Sequence, residues 1–261
     1  MLILNCFEPP VRRRLARAGF DEIAANIERL HTRLLKQRQP MVNTLGNPSE
    51  EGVTIGMCFV LWQAGLHRTE RLLVSAGRAV GNNDVYGLAV LTRALLESTA
   101  VIAAMCALLH KWAEGDITYA DFDTAVTAAL AGSRSSFIEE SPQSTNILTQ
   151  IKHADRFINE KHLFPMRSPL SNMYDVLSEY AHPNMTSNSC AFEIDGIGVF
   201  RFNHGGTLTA KHLDLIGALA SAAQIYATVS DFFHGLLVGE NASPQTAVIL
   251  PWPAKSGDQV D

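Results

Sequence analysis

A chain of 261 residues, 47% of them hydrophobic, is long enough to enclose one large core, and no composition shift marks a linker that would divide it. The net charge of −5 offers no overall attraction to nucleic acid or to an anionic membrane surface. Cys6, Cys58, Cys106 and Cys190 stand far apart without a C-x-x-C pair, and residues 1–10 lack the basic-then-apolar pattern of a secretion signal, which together favour reduced thiols in a cytoplasm.

In chain order, residues 11–38 read as an amphipathic helix with Leu15, Ile23, Ile27, Leu30 and Leu34 on one side. Its other side is basic. Arg12, Arg13, Arg14, Arg17, Arg29, Arg33, Lys36 and Arg38 stand against Asp21, Glu22 and Glu28, an excess of five cations that leaves about −10 on the rest of the chain. Such a face is either a solvated surface packed against an acidic body or a phosphate-contacting arm able to hold RNA. Residues 39–53, with Pro40, Gly46, Pro48 and Gly52, form a loop.

A second helix spans 54–80, and the short Gly81-Asn82-Asn83-Asp84 connection predicts that it runs antiparallel to the next one. That next stretch, 84–110, carries only Arg93 and Glu97 as charges between its ends. A helix apolar on nearly every side must be surrounded by protein, so this is the expected central helix. Its uncharged run between Glu97 and His110 is 12 residues. A bilayer needs roughly 20, so no membrane span is expected. Arg93 and Glu97, four residues apart, share one face where charge is tolerable only if paired.

Beyond Gly115 a short helix over 118–131, a polar break at 132–143 and a helix over 145–161 follow. The next helix covers 168–181 and ends in Tyr174-Asp175-Val176-Leu177-Ser178-Glu179-Tyr180-Ala181-His182-Pro183-Asn184. Pro183 pushes His182 out of the helical region, and from that terminus its ring could turn inward to meet Arg93 and Glu97. Period-two patterning across 190–203, around Asp195-Gly196-Ile197-Gly198, signals a hairpin. A last helix occupies 208–238, Gly205-Gly206 being the turn before it, and the tail 239–261 trails over the surface with 248–252 able to dock. The expectation is a mainly α, single-domain bundle of six to seven helices with one small β-hairpin.

Arg93-x-x-x-Glu97 on an apolar helix, then Leu177-Ser178-Glu179-Tyr180-x-His182-Pro183-Asn184 about 80 residues on, then a short hairpin, resembles a bacterial all-helical family known only as a domain of unknown function. That family is similar in helical organisation to the HEPN superfamily, whose active members are dimeric RNases with an Arg-x(4–6)-His motif. The resemblance spans about 54–238. It implies a homodimer and RNA- or phosphodiester-directed chemistry. RNA cleavage needs a base near neutrality, which histidine suits, and a cation to stabilise the phosphorane. Arg156 and His162 have the spacing, but the chain holds enough arginines and histidines for such a match to arise by chance. The stronger composite is Arg93, Glu97, Tyr180 and His182 as catalytic groups, with Tyr174, Glu179 and Asn184 binding a ligand.

Two other readings use the same residues. Glu28-x-x-His31, Glu179-x-x-His182 and Asp231-x-x-His234 place acid and imidazole at i,i+3, so Glu179, His182, Asp231 and His234 could hold a divalent metal with Glu97 or Glu70 bridging, while His31 is expected to be exposed. Arg93 beside Glu97 opposes a cation there. Alternatively no cofactor is needed, and the Arg-Glu-Tyr-His group either fixes packing or binds a small ligand without chemistry.

Overall fold

The computed structural model describes residues 5–42, 49–132, 145–182, 184–194, 198–202 and 208–239. Expectations for Pro183, the hairpin turn at 195–197, the Gly205-Gly206 turn and the tail from 240 onward lie outside these residues. Among the described residues the chain is mainly α: α1 Pro9–Arg17, α2 Asp21–Gln37, α3 Glu50–Gly81, α4 Val85–Glu114, α5 Tyr119–Ala131, α6 Ile147–Glu160, α7 Pro169–Ala181, the single turn α8 Met185–Asn188, and α9 Ala210–Val238. Strands β1 Phe192–Ile194 and β2 Phe200–Phe202 pair antiparallel with Phe192 opposite Phe202, giving the small hairpin.

The helix expected over 11–38 is two helices. Ala18 leaves the helical path and Gly19 takes φ +79°, a left-handed conformation that glycine adopts without a Cβ penalty. α1 therefore folds back, and the Arg14 guanidinium donates to the carbonyl of Val80 at 2.5 Å, in the last turn of α3, where that carbonyl also accepts from the Asn83 amide at 3.3 Å. The segment before α1 lies tight on α3. A methyl group at Gly77 would sit 1.7 Å from the Cys6 carbonyl oxygen, so only glycine admits this approach.

α4 is the centre, as its composition requires. It packs against α3, α5, α6, α7 and α9, and Leu88, Leu95, Leu96 and Ala103 on it are fully buried. Each buried side chain of leucine size contributes about 1.5–3 kcal/mol, so these contacts outweigh any single ion pair on the helix. Its start is fixed by Asp84, whose carboxylate accepts from the Gly87 amide at 2.8 Å, and its end by Gly115 at φ +81°. α3 returns against it across residues 82–84. By length and composition α4 and α9 could each cross a bilayer, but 61% and 72% of their most apolar stretches are buried within the bundle.

α7 owes its placement to a residue from another helix. Its N-cap Ser168 sits at φ +49° and makes no side-chain cap, and Pro169 occupies the first turn. The free amides of Leu170 and Ser171 instead donate to the Asp155 carboxylate of α6, each at 2.9 Å, and the Ser171 hydroxyl adds a third bond at 2.5 Å. Asp155 is buried, and these three donors with the helix dipole keep its carboxylate satisfied. The cap fixes the rotation of α7 about its axis and thereby turns Tyr174 toward α4.

Candidate functional site

Tyr174 is buried where α7 meets α4. The Arg93 guanidinium donates to the Tyr174 hydroxyl and lies with its central carbon 4.5 Å from the tyrosine ring centroid. Its Nε also pairs with the Glu97 carboxylate at 3.3 Å. Arg93 and Glu97 keep 24% and 30% side-chain exposure, so the pair is half-buried at the bundle surface. Their i,i+4 spacing and the cap on α7 thus join three side chains predicted from the sequence into one network.

Glu97 faces a second feature that the sequence did not announce. A cavity of about 360 Å³ lies between α3, α4, α5 and the start of α6, lined by Leu61, Gly65, Arg68, Glu97, Val101 and Leu130 among others. Small residues on facing helices, Ala64 and Gly65 on α3 and Ala129 on α5, leave the space open. A Cβ on Gly65 would meet the Tyr226 hydroxyl at 2.9 Å and Ile102 at 3.4 Å, so the absence of a side chain there is needed for packing as well. Among the lining side chains Arg68 and Glu97 carry charge. Arg68 is exposed and makes no ion pair or hydrogen bond among the described residues.

The end of α7 does not join this site. His182 takes the extended conformation predicted for a residue before proline, with φ −95° and ψ 144°, but its side chain is exposed and makes no bond to Arg93 or Glu97. The reason is helical rise. His182 stands eight residues beyond Tyr174, about 12 Å further along the axis. The end of α7 leads into α8 beside the first turn of α4, where the Tyr86 hydroxyl donates to the Ser187 carbonyl at 2.7 Å. The expectation that the His182 ring turns in to meet Arg93 and Glu97 is therefore corrected. Tyr180 is half-buried, and its hydroxyl pKa is raised by burial, with Cys190 and Asp214 adding to the shift. It faces the start of α9. Glu179 is exposed and accepts from the Asn184 side-chain amide at 2.7 Å, while Asn184 accepts from the Ser187 amide at 3.0 Å and starts α8. Glu179 and Asn184 thus close a local turn. Arg156 and His162 are both exposed on and after α6.

The metal set is also parted. Asp231 pairs with Arg33 at 2.9 Å and accepts from Gln37 at 2.9 Å, and His234 stacks on Trp62 with ring centroids 4.5 Å apart. Tyr180 neighbours Asp214, and Asp231 lies seventeen residues on, about 25 Å along α9. Glu179 and His182 cannot share an ion with it. Among the described residues no group of three or more His, Cys, Asp or Glu side chains gathers to hold a metal.

His31, expected to be exposed, is buried. Its Nε2 has no hydrogen-bond partner among the described residues, and burial lowers its pKa, with Glu70 opposing and Arg38 assisting. Glu70 pairs with Arg38 at 3.1 Å and with Arg71 at 3.3 Å. Four arginines of the basic face have partners within the molecule: Arg12 pairs with Glu28 at 3.1 Å and Arg33 with Asp231 of α9 at 2.9 Å, both arginines remaining exposed, while the less exposed Arg14 caps α3 and Arg38 pairs with Glu70 of α3. Arg13, Arg17, Arg29 and Lys36 are exposed as well and take part in no ion pair among the described residues. The four cysteines are free, and burial pushes the Cys6 and Cys58 thiols up to about 12, which removes them as nucleophiles near neutrality.

No protein-family model, curated protein or solved structure matches this chain.

Proposed function

We propose that this protein is a helical ligand-binding module, with the cavity bounded by α3, α4, α5 and α6 as its binding site. The observation that carries the reading is the joint placement of Glu97, which belongs to the Arg93–Tyr174 network and also faces the cavity. A volume of about 360 Å³ falls within the roughly 300–1,000 Å³ range of small-molecule sites, and mostly apolar walls with a few polar groups are their usual lining. In this reading Arg93 and Tyr174 hold α7 on α4 and fix the direction of Glu97.

A phosphodiester-directed activity draws less support. It would need His182 to act with Arg93, and their separation leaves the cation without a base. The phosphate-contacting role of the basic helices loses support for a different reason, since most of their guanidinium groups already have partners.

The test fills the cavity. Val101→Trp places an indole between the walls, and a panel of small apolar compounds is scored by thermal shift and calorimetry against both proteins. Binding by the native chain that disappears in the variant, with its melting temperature retained, supports the reading. A variant that binds as well as the native chain overturns it.

A further inference from the structure

The chemistry of the cavity mouth points to a class of ligand, and the argument rests on the cavity being the binding site. Glu97 is matched by Arg93 at 3.3 Å, so its charge is already balanced. The buried Ser98 hydroxyl donates to the Ala94 carbonyl at 2.9 Å and has no proton left to offer. Arg68 therefore supplies the uncommitted donors among the lining side chains, and the balance of Arg68, Glu97 and Arg93 leaves one positive charge in excess. Behind it the walls are aliphatic, formed by Leu61, Val101, Ile102, Leu130 and Ile147.

We propose that the cavity takes an amphipathic monoanion, a carboxylate on an aliphatic body, with the anionic head at Arg68 and the tail between α3, α4 and α5. An arginine presents paired N–H groups that match the two oxygens of a carboxylate, which a neutral hydroxyl cannot use in the same way. A volume of about 360 Å³ lies in the lower part of the roughly 300–1,000 Å³ range of small-molecule sites, which suits a medium-chain acid, and a saturated ten-carbon acid is the probe of that class. The Arg93–Glu97 pair then acts as a charge filter: removing the Glu97 charge frees a second cation beside the head group.

Isothermal titration with decanoate, decanol and decylammonium, all below their micelle range, tests this on the full chain. Decanoate is expected to bind about tenfold more tightly than decanol, and decylammonium more weakly than either. Arg68→Gln should bring decanoate down to the level of decanol, Arg68→Lys should keep part of the preference, and Glu97→Gln should increase it. Equal binding of decanoate and decanol, or a preference that survives Arg68→Gln, overturns the ligand class while leaving the cavity as a binding site. Failure of all three to bind, or equal binding by Val101→Trp, overturns the cavity reading itself. Since Arg68 is exposed, an unchanged melting temperature in Arg68→Gln separates lost recognition from lost fold.

Discussion

Two arginine–glutamate pairs sit in different parts of this molecule and do different work. Arg93 and Glu97 lie one turn apart on α4, are half-exposed, and border open space. Arg38 and Glu70 come from separate elements, with Glu70 6% exposed, and they join the end of α2 to α3 beside the buried His31. Desolvation decides the contrast. A pair sunk among packed helices must be complete, because removing one partner strands the other charge, whereas a pair at a surface cavity can lose a partner to water or to a ligand. The first pair can therefore be part of a site, and the second is a joint.

Breaking the joint should give the largest effect. Glu70→Ala leaves Arg38 without its carboxylate, and a loss of about 3 kcal/mol in unfolding free energy by denaturant titration is expected. A loss below about 1 kcal/mol would mean the two pairs are alike. At the other junction, Tyr174→Phe removes the hydroxyl that accepts the hydrogen bond from Arg93 and should cost about 1–1.5 kcal/mol, measured in the same way.

Acid sharpens the comparison further. The buried His31 has its pKa below the ordinary value of 6.5, so the unfolded chain binds the proton more readily. Stability should be full above pH 6.5 and fall as the pH drops below it, until the folded value is passed. His31→Gln should flatten that fall, and an unchanged slope would show that the joint does not feel the proton. The smallest effect on stability belongs to Glu97→Gln, under about 0.5 kcal/mol by thermal unfolding, because a half-exposed i,i+4 pair contributes little.

Much of the architecture was legible from the order of residues. Apolar runs at helical spacing located α3, α4, α5, α6, α7 and α9, and the nearly uncharged stretch around Arg93 identified the helix that the others surround. The change of period near Phe192 marked the strand pair. What escaped was three-dimensional. Gly19 gave too weak a signal within a continuous basic pattern to divide α1 from α2. The Arg93–Glu97 pair was visible because it is local, and Arg38–Glu70, thirty-two residues apart, was not. The cavity was hidden for the opposite reason: Ala64, Gly65 and Ala129 mark it by what they lack, and a missing side chain leaves no pattern in a sequence. His182 was misplaced because an extended backbone before proline says where a ring begins and not which neighbour it reaches.

The close seat of the Cys6 carbonyl on Gly77 gives the molecule a chemical reporter. Cys6 is 3% exposed, and its thiol is held protonated while the leading segment stays seated. Gly77→Ala would unseat that segment while the helices behind it stay assembled. Alkylation of residue 6 by a maleimide, slow in the native chain, would then become rapid and could be followed by intact mass, so one added methyl group would be read out as labelling kinetics at the opposite side of the contact.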